Sequence, residues 1–150
     1  MDEAPALICY DDSPLSARAI EAAASLLSAR RAVVLHVAPR LTVAEGFTAT
    51  SSLVRSSSVE EVNTLEAERV ASRGVEVARS CGFAAEPRGE IAGSTWEGIV
   101  NVAEELDAPV IVMGSRGLTG AKSILRRSVS HDVAQHAGRP VLIVPPPYGA

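Results

Sequence analysis

The sequence is poor in rings: aromatic residues make up 3% of its 150 positions, with one tryptophan, two tyrosines and two phenylalanines. That scarcity argues against the rows of aromatic platforms on which single-stranded nucleic acids are held. It also leaves the core to be built from small and branched aliphatic side chains. Cysteine is rarer still. Cys9, in an apolar run, and Cys81, just before Gly82, are too few and too far apart to frame a disulfide or metal site, so both are expected to be buried thiols. Positive charge has no excess: 14 Lys and Arg stand against 18 Asp and Glu, a net charge of −4, which argues against a nucleic-acid partner. No apolar run approaches the roughly 18 residues that a membrane helix needs. The opening "MDEAPALICY" has neither the basic start nor the long apolar core of an export signal. The expectation is a cytoplasmic protein without a membrane partner.

What is present is the composition of an ordinary globular domain, 47% hydrophobic and 21% charged. A chain of this length buries about 70% of its unfolded surface as one unit, so residues 1–150 are expected to form a single domain. Four short runs, "ALICY" from residue 6, "AVVLHV" from 32, "PVIVMG" from 109 and "VLIV" from 141, are continuously apolar, as strands covered on both faces should be. Between them lie segments of helical period. Ser13 followed by Pro14 opens one that is expected to run to about Ala29. Ser58 and Glu61 have capping-box spacing and open a second, ending near Cys81 at Gly82, with Gly74 as a weak point inside it. "AAEPRGEI", from residue 84, holds Pro87 and reads as an edge strand. Ser94 and Glu97 cap a third helix, and a fourth is expected around residues 123–137. Residues 39–58 form one long polar, serine-rich connection. Strand and helix therefore alternate, which predicts one parallel sheet with helices on both faces and ligand binding beyond the carboxyl ends of the strands.

The stretch "VMGSRGLTGAKSILRRSVSH", from residue 112, places Gly114, Gly117 and Gly120 between a strand and a helix. Backbone N–H groups there can converge on an anion. Equally, a strand-to-helix turn can need glycine for positive φ alone. It is not a Walker loop, because Arg116 and Ala121 stand where glycines belong, and not a dinucleotide fingerprint, because Arg116 occupies the second glycine position. His36, His131 and His136 lack ligand spacing, and no serine sits in a nucleophile elbow, so neither a catalytic nor a metal centre is expected. His131 and His136 are expected to be solvated or capping residues. Asp11 and Asp12 end the first strand, where a carboxylate can meet a ribose hydroxyl or a metal, or cap the next helix. Capping is the stronger reading for Asp12.

With these segments on view, the chain resembles the universal stress protein family over nearly its whole length. "ICYDDSPLSARAIEAAASL", "VVLHVAP" and "VIVMGSRGLTGAKSILRRSVSHDVAQHAGRPVLIVP" carry the likeness. The resemblance implies a Rossmann-like five-stranded parallel sheet in the order 3-2-1-4-5, a homodimer through the last strand (residues 140–145), and an adenine nucleotide, ATP with Mg2+. It places Asp11 at the adenosine and the Val37 backbone at adenine. Met113, Gly114, Ser115, Arg116 and Gly117 then wrap ribose and phosphates, and Arg127, Ser128 and the Val129 backbone close the phosphate end. Two positions depart from the family pattern. Asp12 stands where a small residue is frequent, adding negative charge that makes a divalent cation more useful. Arg127 stands where glycine lets the backbone approach phosphate, and its guanidinium either grips the phosphates or keeps them out. Three functions remain open: a nucleotide-binding regulatory dimer without rapid hydrolysis, a dimeric interaction module with an impaired site, and a nucleotide-cleaving enzyme.

Overall fold

The computed structural model describes residues 3–40, 56–116 and 128–149, and within them strand and helix alternate from end to end. The elements are β1 (Ala6–Cys9), α1 (Pro14–Leu26), β2 (Arg31–Pro39), α2 (Ser56–Ser80) and β3 (Ala84–Ala92). They continue as α3 (Thr95–Glu105), β4 (Ile111–Gly114), α4 (Val129–His136) and β5 (Val141–Val144). All strand pairs are parallel, in the order β3-β2-β1-β4-β5. The expected sheet and its order are therefore present.

Because side chains alternate across a strand, the central strands feed two cores. Ile8, Tyr10 and Val34 face α1 and α2, packing with Ile20, Ala23, Val70 and Ala78. Leu7, Leu35, Val37 and Met113 face α3 and α4, packing with Ile99, Val102 and Val133. Burial on both faces explains why these strands read as unbroken apolar runs.

Helix ends follow cap chemistry, with four departures from expectation. Ser13 caps α1 by accepting from Ser16 N–H at 3.1 Å, with Pro14 in its first turn. The helix stops at Leu26, not near Ala29, since Leu27 turns extended and packs against the first core. This brings Arg30 C=O to Ala84 N–H at 2.7 Å. Helix α2 begins at Ser56, so Ser58 lies inside it instead of capping it. It ends as expected at Gly82, whose φ of +97° suits glycine, while Phe83 N–H closes on Ala78 C=O at 3.0 Å. Helix α4 begins only at Val129, because Ser128 is an extended cap (φ −67°, ψ 144°) through which no helix from residue 123 can run. The fourth departure is Gly74, which has a packing role beside its cost in helix propensity. A Cβ there would meet Tyr10 Cγ at 2.6 Å and Val34 Cγ1 at 2.7 Å, so the missing side chain is what lets α2 lie against the sheet.

Candidate functional site

The sheet order puts the reversal of winding between β1 and β4, where the helices leaving the two strands pass to opposite faces and open a crevice. Register fixes what lines it. Cys9 pairs with Leu35, so Asp11 and Val37, each two residues on, stand level beyond neighbouring strands. Ile8 pairs with Val112, which puts Ser115, three residues on, level with Asp11 on the other side. Adjacent strands lie about 4.8 Å apart, so these three positions form one short row.

Val37 offers backbone to this row. Tyr10 N–H donates to Leu35 C=O at 2.8 Å, marking the last bond from the β1 segment to β2. Alternate residues of a strand send N–H and C=O to the same edge, so Val37 directs its own pair to that edge beyond the end of β1. Its buried side chain is fixed under α3, where a Cβ on Gly98 would come within 2.9 Å of Val37 Cγ1.

Asp11 is half-buried, and its Oδ1 accepts from Ser13 N–H at 3.1 Å and from the Ser13 hydroxyl. The carboxylate that borders the crevice therefore also steadies the start of α1. Asp12 does not cap α1; Ser13 has that role. Its φ is +67°, and it accepts from Tyr10 O–H at 3.1 Å and from Arg73 Nε at 3.0 Å, with Arg73 Nη2 also at 3.0 Å. The hydrogen bond from Arg73 holds the Asp12 carboxyl below the usual carboxylate range. Burial, then the bond to Asp12, pushes the Tyr10 phenol up. Asp12 is thus partnered by a guanidinium, and the reason it gave for a divalent cation is weakened. Among the described residues no group of three or more His, Cys, Asp or Glu side chains could hold a metal ion.

At the phosphate end, Met113 is buried in the second core, so only its backbone can face a ligand. Gly114 is half-buried, and a Cβ there would meet Leu15 Cγ at 2.9 Å, so its smallness already serves the packing of α1. Ser115 N–H donates to Val144 C=O at 2.9 Å, and Ser115 C=O accepts from Ser130 Oγ at 3.3 Å. The second bond ties the first turn of α4 to the end of β4. Arg116 is exposed. Ser128 Oγ accepts from His131 N–H at 3.2 Å. The N–H groups of Val129 and Ser130 remain as first-turn donors without helical carbonyls. Gly117 and Arg127, like Gly120, Lys122, Ser123, Arg126 and the residues 41–55 of the long connection, lie outside the described residues.

Ser130 was not legible as a site residue, although a polar position in register with Val133 and Ala137 on a buried face is a usable signal. Arg73 gave no signal, since 61 residues separate it from Asp12. His136 is more than a solvated residue: its ring stacks on Trp96 with centroids 4.4 Å apart, and Nδ1 donates to Asp132 C=O at 2.8 Å. Both cysteines are half-buried and free, not fully buried, and burial pushes the Cys9 thiol up to about 12.

Residues 5–145 match the model of the universal stress protein family. The chain belongs to that family. It is 34% identical over 148 residues to universal stress protein YxiE of Bacillus subtilis, an alignment covering 92% of this chain and 96% of that one. The solved universal stress protein from Archaeoglobus fulgidus superposes with a TM-score of 0.66 at 26% identity, covering 95% of this chain and 99% of the other. A structure of the universal stress protein from Archaeoglobus fulgidus in complex with dAMP is similar in fold, with a TM-score of 0.62 at 23% identity over 96% and 99% of the two chains. No described helix of this universal stress protein is long and apolar enough to cross a membrane.

Proposed function

We propose that this universal stress protein binds an adenine nucleotide, ATP with Mg2+, in the crevice between β1 and β4, and acts as a regulatory homodimer. The observation that carries the reading is the row of Asp11, Val37 and Ser115, set level by the sheet register beside the first turn of α4. A carboxylate suits a ribose hydroxyl, a strand edge with both N–H and C=O suits the adenine edge, and a helix start suits phosphate. A relative of the same fold was solved with dAMP, which supports a nucleoside monophosphate as the common part of the ligand. The cation, in this reading, is held by phosphate oxygens and water, with no protein ligand assigned.

Calorimetric titration of the purified chain with AMP, ATP and Mg2+-ATP tests the proposal. Saturable binding is expected, with a rise in melting temperature equivalent to about 2.7 kcal/mol at a hundredfold excess over Kd. Asp11→Ala should weaken all three ligands about tenfold or more. No heat and no melting shift for any of them would refute the reading. For the dimer, the supporting feature is the outer edge of β5, an apolar strand whose Ile143 is exposed.

A further inference from the structure

The residues on either side of Asp11 are held from one place. Asp12 sits in the left-handed region, which is uncommon for a non-glycine residue although Asp enters it more readily than most, and such residues tend to gather at ligand sites. Two consecutive residues of α2 hold it there. Arg73 puts Nε and Nη2 on Asp12 Oδ2, both at 3.0 Å. Gly74 lets the helix close on the Tyr10 ring. Tyr10 in turn donates its hydroxyl to the other oxygen of Asp12 at 3.1 Å. Its carbonyl accepts from His36 Nδ1 at 2.8 Å, and His36 is the residue before Val37. Neighbours of both residues assigned to the nucleoside are thus bonded to each other and to α2.

From this arrangement we infer that Arg73 is a positioning residue for the nucleoside end of the crevice, holding Asp11 and Val37 in place through Asp12 and Tyr10. The inference rests on the adenine-nucleotide reading. An ion pair between side chains 48% and 40% exposed adds little to global stability. What it can fix is a local backbone conformation that Asp12 would otherwise leave. Arg73 itself lies on the α1–α2 side of the sheet and is not assigned to ligand.

The test separates nucleoside from phosphate. In Arg73→Ala, AMP affinity measured by calorimetry should fall about tenfold. Affinity for inorganic tripolyphosphate, which probes only the α4 end, should not change, nor should the melting temperature move appreciably. Arg73→Lys should recover part of the AMP affinity. Glycine adopts positive φ without help, so in an Asp12→Gly background the Arg73→Ala change should have no further effect, a coupling read by a double-mutant cycle. AMP binding unchanged in Arg73→Ala, equal losses for AMP and tripolyphosphate, or additive losses in the cycle would each overturn the inference. A ligand-free readout separates its failure from that of the nucleotide reading. Hydrogen exchange at Ser13 N–H, which is bonded to Asp11 Oδ1, should speed up in Arg73→Ala. Unchanged exchange overturns the clamp alone, whereas a wild-type chain that binds no AMP overturns the nucleotide reading and the clamp's role with it.

Discussion

Single residues decide how closely the layers of this fold approach. Gly74 and Gly93 are both glycines in the sequence, but a Cβ at Gly74 would lie 2.6 Å from the Tyr10 ring, while at Gly93 it would meet nothing within 4 Å. Gly74→Ala should therefore destabilise the chain by about 1–3 kcal/mol, the usual effect of forcing a methyl into a filled core. Gly93→Ala should stay within about 1 kcal/mol of wild type. Urea denaturation midpoints for the two variants check the contrast, and equal midpoints would show that α2 can shift to accept the methyl. The difference was not legible in the sequence. A helical glycine has a local propensity cost that can be read in place, but its reason here is a ring 64 positions away in the chain. The same holds for Asp12: a carboxylate after a strand is visible, but its guanidinium partner is not.

Elements show a similar division between local and distant causes. The apolar runs marked β1, β2, β4 and β5, and Pro87 marked an edge, because each of these signals is contained within a few residues. Ser13 and Ser94 were readable as caps for the same reason, and both accept from the N–H three residues on. What fails is the end of α1, which is set by Leu27 turning into the core, the start of α2, which lies at Ser56 ahead of Ser58, and the start of α4, which is set by Ser128 at the crevice. The junction of α3, α4 and β5 depends on Arg139, which gave no sequence signal beyond the dipeptide before a proline. Its Nη1 donates to Ala103 C=O at 2.9 Å and Ala108 C=O at 2.8 Å, and its Nε donates to Ala137 C=O at 3.3 Å. Ala103 lies in the last turn of α3, where its carbonyl also accepts from Ala108 N–H at 2.9 Å, Ala137 is the C-cap of α4, and Ala108 lies between α3 and β4. Arg139→Leu keeps the apolar stem and removes the donors, so it should cost about 1–3 kcal/mol. Thermal unfolding should show the loss, and Arg139→Lys should restore only part of it, since one ammonium cannot repeat the planar fork. A Leu variant as stable as wild type would mean that water satisfies these carbonyls without loss.

At the scale of the whole molecule, the two edges of the sheet are unlike. On β3, Pro87 has no N–H to donate, and Arg88 is tied to Glu90 and to Glu105 of α3, so this edge is guarded against strand addition. On β5 the sequence "VLIV" holds no charge and no proline. Pro140 C=O accepts from Ile111 N–H and Val144 C=O from Ser115 N–H, so even-numbered residues of this segment face β4. By alternation, Ile143 directs its N–H and C=O outward, with its side chain exposed. A second copy pairing along this edge would satisfy those groups and cover the apolar side chain. Ile143→Pro removes the outward N–H while leaving the bonds to β4 in place. Sedimentation of the wild type should give twice the chain mass of 15.6 kDa. The variant should sediment at the mass of one chain with its circular dichroism unchanged. A variant that stays dimeric would place the contact elsewhere, and a monomeric wild type would remove the homodimer from the proposed function. Because the crevice lies between β1 and β4, two strands in from this edge, a monomeric variant that still binds AMP would further show that each chain carries a complete site.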